Sequence, residues 1–195
     1  VETNPETLLY FLPGVSSYVG GDITGGVLAS KLCSADEIVL FIDLGTNGEI
    51  VLGNKNFMLA CACSAGPAFE GGEISCGMRA SAGAIEKVSI DRTTIGPEIK
   101  TLYNEKPRGI CGSGIIDTVA ELFKAGIIDR KGRLDKTINS PRIRFDEYQI
   151  GEYVLAFADE WGIDKDITIN DIDLNNFIRA KGAVYSAVAT LLNSM

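Results

Sequence analysis

The 195-residue chain contains no histidine. That absence removes every Ser-His-Asp or Cys-His nucleophile pair and every histidine-ligated metal site. Its five cysteines (Cys33, Cys61, Cys63, Cys76, Cys111) include no C-x-x-C pair. An odd, irregular set in apolar surroundings reads as reduced, buried thiols rather than a disulfide framework, a zinc site or an iron–sulfur site. No apolar run reaches the roughly 18 residues of a membrane span, and no charged start leads into a signal-type apolar stretch. A cytoplasmic protein with no membrane partner follows as the expectation. Cations are few, with 18 Lys and Arg against 26 Asp and Glu, a net charge of −8. A basic face for nucleic acid is therefore not expected. Hydrophobic residues, at 46%, are too many for a disordered chain. The length suits one domain or two small lobes.

The scarcity is uneven. Residues 1–85 hold three cations, Lys31, Lys55 and Arg79, against nine acids, and 13 of the 22 glycines. Such a stretch reads as buried sheet with tight turns, and the rest as a more solvated surface. Residues 8–12 are a short apolar segment closed by Pro13-Gly14. Asp22 is a candidate N-cap for a helix reaching Lys31, despite Gly25 and Gly26. Residues 38–42 form a continuous aliphatic and aromatic run, as in a strand buried on both faces. With the turns expected at Asn47-Gly48 and Gly53-Asn54, residues 38–63 predict a three-stranded antiparallel meander. Cys61 and Cys63 then share one face.

Further on, residues 64–83 read as loop, and residues 84–91 and 98–103 as strands. Gly109 to Gly114 opens a helix with Ile115, Ile116, Val119, Leu122 and Phe123 in a stripe and Gly126 as its stop. Residues 129–144 read as charged surface loop and 153–157 as strand. A last helix starts at Asn170 or Asp171, with Phe177, Ala180, Val184, Ala187, Val188 and Leu191 on one face.

Asp43-Leu44-Gly45-Thr46-Asn47-Gly48-Glu49 follows the aliphatic strand. Backbone N–H groups around such a turn can cradle a phosphate, glycine allows close approach, and Thr46 and Asn47 add donors. Asp43 would hold Mg²⁺ through water or orient the water attacking a γ-phosphate. An ordinary hairpin whose Asp caps its own turn has the same pattern. The glycines at 109–114 match neither G-x-G-x-x-G nor G-x-x-x-x-G-K-[ST]. A tight strand-to-helix turn and a phosphate contact both remain open there. Ser113 has no histidine base, which excludes a hydrolase elbow.

Phe41 to Glu49, followed by Ser64-Ala65-Gly66-Pro67-Ala68-Phe69-Glu70-Gly71-Gly72-Glu73, resembles the second phosphate loop of the actin-like ATPases, which include actin, the heat-shock chaperones and sugar kinases. The blocks at 12–23, 42–53, 64–79 and 109–117 resemble the C-terminal actin-like ATPase domain of the reductive activators of corrinoid proteins. The resemblance implies an α/β fold of the ribonuclease H-like, actin-like type, a mixed sheet with an antiparallel meander flanked by helices. It implies residues 1–36 as the end of a first lobe and 37–195 as most of a second, an excised piece lacking the first phosphate loop and the adenosine loop.

For the parent protein the resemblance implies ATP and Mg²⁺ as cofactors and a 2Fe-2S cluster in a separate N-terminal ferredoxin-like domain. The activity implied is ATP-driven reduction of cob(II)alamin to cob(I)alamin. The partner implied is a corrinoid protein, either a corrinoid iron–sulfur protein or the corrinoid subunit of a methyltransferase; a homodimer is also admitted. Carried over residue by residue, Asp43 is the catalytic and metal-associated acid, and Gly45, Thr46, Asn47 and Gly48 the phosphate cradle. Gly71, Gly72 and Glu73 form the turn near the nucleotide. Arg179-Ala180-Lys181 resembles a basic pair at the adenosine, with Lys181 as the nucleotide contact; a solvated helix face fits the same residues. The piece alone is expected to bind nucleotide weakly and turn over negligibly. Three other readings stand beside this one: a docking module for the corrinoid partner, a kinase of the same superfamily, and a cluster-binding redox protein.

Overall fold

The computed structural model describes residue 4 and residues 6–195. Residues 1–3 and 5, at the start of the segment expected to close a first lobe, lie outside the described residues. The chain forms two compact units. The first comprises the residues up to Leu44, with 48–63 and 185–195; the second comprises 45–47 and 64–184.

In the first unit, helix α1 (Gly21–Ala29) is followed by strands β1 (Val39–Leu44), β2 (Gly48–Asn54) and β3 (Phe57–Cys63). The strands form the expected antiparallel meander in the order β1-β2-β3. Asp22 is not the cap. Gly20 occupies that position without a side-chain bond, and Asp22 lies in the first turn, where its negative charge complements the positive helix end. The glycines inside α1 have a packing reason: a Cβ on Gly26 would come 2.4 Å from Cζ of Phe41 on β1. That close approach buries Val19, Ile23, Leu32 and Val51 in one cluster, with Val27, Val39 and Phe41 against it. Each such side chain contributes about 1.5–3 kcal/mol when fully buried.

Burial on both faces belongs to β2 rather than β1. Ile50, Val51 and Leu52 are all buried, whereas Leu40 and Ile42 on the edge strand β1 remain 42% and 39% exposed. An apolar run specifies a strand, but not its place in the sheet order. Both turns also shift. Gly48 is paired with Leu44 and Cys63, so the first loop is residues 45–47, and neither Asn47 nor Gly48 has positive φ. Asn54 pairs with Phe57, which places the second turn at Lys55-Asn56.

The second unit holds two small sheets. Strand β4 (Ala84–Ile90) lies between antiparallel β5 (Pro97–Thr101) and the short parallel β6 (Gly109–Ile110). Helix α2 (Gly112–Lys124) follows β6 directly. Of its expected stripe, Ile115, Val119 and Leu122 enter the core, while Ile116 and Phe123 stay 39% and 49% exposed. Gly126 ends this helix region with φ of +74°. The second sheet is β7 (Ile143–Phe145), β8 (Gly151–Ala156) and β9 (Ile167–Asn170), all antiparallel. A short helix α3 (Ala158–Trp161) connects β8 to β9. Helix α4 (Asp171–Asn193) buries Leu174, Phe177 and Ala180 near its start.

Among the cysteines, all free, only Cys111 is buried; Cys33 is exposed and the other three are half-buried. The expectation of five core thiols is corrected accordingly. No helix among the described residues is long and apolar enough to cross a membrane.

Candidate functional site

In the first unit, Asp43 pairs across the hairpin with Glu49. Burial pushes the Glu49 carboxyl above its ordinary value, partly opposed by a backbone N–H, and the Asp43 and Asp22 carboxylates raise it further. Burial likewise pushes up the Cys61 and Cys63 thiols, with Glu49 adding to the effect at Cys63. The pairing of Asp43 with Glu49 thus gathers carboxylates at the loop end of the hairpin. Among the described residues no group of three or more His, Cys, Asp or Glu side chains is arranged to hold a metal. Mg²⁺ does not need one, because one or two carboxylates with waters and phosphate oxygens suffice.

In the second unit, the loop 45–47 is closed by Gly45 N–H donating to Asn47 O at 3.0 Å. The Thr46 hydroxyl donates to Glu70 Oε2 at 2.7 Å. Glu70 ends a 3-10 turn (Pro67–Glu70), after which Gly71 takes φ of +81°. Gly72 N–H returns to Pro67 O at 2.9 Å. Gly71 and Gly77 are packed backbone on backbone: a Cβ on Gly77 would lie 2.1 Å from Gly71 O. A hollow of about 770 Å³ is bounded by Glu70, Gly71, Gly72, Gly77, Arg79 and Gly112.

The cluster at 109–114 serves mainly as the tight strand-to-helix turn. A Cβ on Gly112 would meet Phe69 O at 2.0 Å, and one on Gly114 would meet Ile85 O at 2.1 Å. Gly112 alone of these glycines also borders the hollow. Arg79 was not singled out from sequence as a site residue. A lone basic residue in a cation-poor stretch, close after Gly71-Gly72, was the available signal.

A second hollow, of about 640 Å³, is lined by Ser64, Ala65, Gly66, Glu73, Asn176 and Arg179. Lys181 does not join it. Residues two apart on a helix point about 200° apart, and Lys181 lines a third hollow of about 730 Å³ with Ile116, Phe123, Phe177 and Ile178. The second unit thus brings Gly71 and Gly72 together at one hollow and Glu73 and Arg179 at another. Gly45, Thr46 and Asn47 connect to this region through Glu70. Among the described residues, no ion pair engages Arg79, Arg179 or Lys181.

Residues 37–195 match the family described as the C-terminal domain of RACo, the ASKHA domain. The chain belongs to this family. This ASKHA domain is 36% identical over 196 residues to the corrinoid activation enzyme RamQ of Eubacterium limosum, covering 96% of the present chain and 32% of that protein. It is 32% identical over 162 residues to a Co(II) methylated amine-specific corrinoid protein reductase of Methanosarcina barkeri, covering 72% and 30%. A solved reductive activator for corrinoid, iron-sulfur protein matches with a TM-score of 0.91 and 54% identity, over 100% of this chain and 31% of that one. The chain therefore spans about a third of the length of each of these proteins, and it has the α/β fold expected from sequence.

Proposed function

We propose that this domain is the nucleotide-binding part of an activator that uses ATP to drive reduction of cob(II)alamin to cob(I)alamin on a corrinoid protein. Residues 1–36 would close a first lobe, with 37–195 in the second. Support comes from the family, from relatives named as corrinoid activation enzyme and corrinoid protein reductase, and above all from one structural feature. That feature is the Thr46–Glu70 bond, which ties the Gly45–Asn47 loop to the glycine turn at Gly71-Gly72.

In this reading the N–H groups of Gly45, Thr46, Asn47 and Gly48 cradle phosphate oxygens, while Gly71, Gly72 and Glu73 line the nucleotide's path. Fixed backbone dipoles bind developing negative charge without reorganising. Asp43 orients the attacking water. Mg²⁺, held through water by Asp43 with Glu49 nearby, would neutralise charge on the phosphate oxygens. On α4, Arg179 and Lys181 are assigned to the adenosine end, each from its own side of the helix. A 2Fe-2S cluster belongs to another domain of the proposed protein. The partner is a corrinoid protein.

The test uses the intact protein with its corrinoid partner, following phosphate release and the cob(II)alamin-to-cob(I)alamin absorbance change. Asp43→Asn is expected to slow both by about 100-fold, the scale of losing one electrostatic group at a reacting centre. Unchanged ATP hydrolysis in Asp43→Asn, with partner binding lost through surface changes elsewhere, would replace this reading with a docking module. Phosphate appearing on a small molecule instead of in water would replace it with a kinase.

A further inference from the structure

The start of α4 carries two acids that reach different parts of the second unit. Asp173, 1% exposed, accepts Ser75 N–H at 2.8 Å and the Ser75 hydroxyl at 3.0 Å through Oδ1. Through Oδ2 it accepts Asn170 N–H at 3.1 Å. The end of the helix is already capped without Oδ1: Asn170 Oδ1 accepts the N–H groups of Ile172 and Asp173, both at 2.9 Å. Asn170 Nδ2 donates to the Ser75 hydroxyl at 3.0 Å, and Asn176 Nδ2 donates to Glu73 O at 3.0 Å. Capping therefore uses Asn170 and one oxygen of Asp173, in the reciprocal manner of a capping box. The other oxygen is committed to a residue 98 positions away in sequence. A buried carboxylate is costly unless its oxygens are bonded, so these bonds hold Ser75 to α4 firmly.

Ser75 lies between Glu73 and Gly77, and Glu73 shares its hollow with Arg179 of α4. We infer that Asp173 is a positioning residue. It fixes the 73–77 segment to α4, so that Glu73 and Arg179 line one hollow and Gly77 packs against Gly71. It touches no ligand itself. The inference rests on the nucleotide reading above and adds a residue that sequence resemblance did not mark.

Asp171 provides the control. It sits in the same first turn but accepts Gly151 N–H at 2.7 Å and Leu134 N–H at 3.3 Å, neither of which lines either hollow. In the intact protein, Mg·ATP binding and thermal unfolding are measured for wild type, Asp173→Asn, Ser75→Ala and Asp171→Asn. Asp173→Asn is expected to weaken Mg·ATP binding about tenfold and Ser75→Ala about threefold, on the scale of bonds to a charged acceptor. Asp171→Asn is expected to lower the melting temperature comparably while leaving affinity unchanged. Equal loss of stability in both Asp variants with unchanged affinity overturns the inference and leaves the nucleotide reading standing. Should Asp173→Asn not fold, unchanged affinity in Ser75→Ala overturns it instead. A wild-type protein that binds no Mg·ATP overturns the nucleotide reading itself.

Discussion

Replacing Gly77 by alanine probes the backbone geometry on which the glycine turn depends. The added Cβ would sit 2.1 Å from Gly71 O, 2.7 Å from its carbonyl carbon and 2.8 Å from its Cα. All three neighbours are backbone, so no side chain can rotate away. To reach ordinary contact the two segments must part by more than about 1 Å, an overpacking that typically costs 1–3 kcal/mol. Each segment is also tied down. Gly77 N–H bonds to Ile74 O at 2.9 Å, Met78 N–H to Ile110 O at 2.9 Å, and Ile110 N–H to Cys76 O at 2.8 Å. Weakening one of these adds about 1 kcal/mol, for a total of roughly 2–4 kcal/mol. Urea unfolding measures it: the midpoint should fall while the denaturant slope stays constant. Gly182→Ala is the counterpart. Its Cβ meets nothing within 4 Å in the interior of α4, so it should stabilise by about 0.5–1 kcal/mol. A Gly77→Ala midpoint within error of wild type would refute the reasoning.

Four other outcomes follow from named contacts. Thr46→Val removes the hydroxyl bound to Glu70 and should weaken Mg·ATP binding about three- to tenfold, whereas Thr46→Ser should not; equal affinities for Val and Ser would sink the proposed role of the bond. Arg179→Ala and Lys181→Ala, lining different hollows, should affect nucleotide affinity additively, with the larger loss at Arg179; a coupling above about 0.5 kcal/mol would place both on one ligand group. Tyr153→Phe strands Ile95 O, which accepts the buried phenol at 2.7 Å, and should cost about 1–2 kcal/mol in urea unfolding. Asp166 is held below its ordinary 3.8 chiefly by the Ala158 N–H and also by Arg144. Its contribution is therefore fully present above that value and is lost as pH falls through the depressed folded value. Asp166→Asn should be less stable than wild type near neutrality, with the gap closing in acid; a pH-independent gap would contradict the linkage.

The meander was readable because turn residues and a strand-length apolar run constrain it locally, and the same holds for α2 and α4. Which strand is central was not readable. Ile38 to Ile42 is as apolar as Ile50 to Leu52, and only pairing order makes β2 the doubly buried strand. The loop spans residues 45–47 rather than Asn47-Gly48, because that dipeptide has the composition of a tight turn while pairing of Gly48 with both Leu44 and Cys63 draws it into the strand. Short elements such as β7 and β9 carry too few residues for periodicity to act. At the site, Gly71, Gly72 and Glu73 were marked by motif. Ser75, Asn170 and Asp173 were not, because a bond spanning 98 positions leaves no local pattern.

The divergence of Arg179 and Lys181 has a broader consequence. Basic residues two apart in sequence suggest one electropositive patch, but on a helix they divide between two surfaces, and here each surface has its own hollow. The hollow beside Arg179 is also lined by Glu73, whose segment is fixed through Asn176 and the neighbouring Ser75; the hollow beside Lys181 mixes Phe123, Ile116 and Phe177 with Lys124, Asp129 and Arg130. In the nucleotide reading proposed above, a polar ligand group would suit the first side, where Glu73 and Arg179 offer hydrogen-bonding groups. The fixing of the 73–75 segment to the start of α4 therefore bears on the first hollow alone, because that segment supplies Glu73 to it and lines no part of the second.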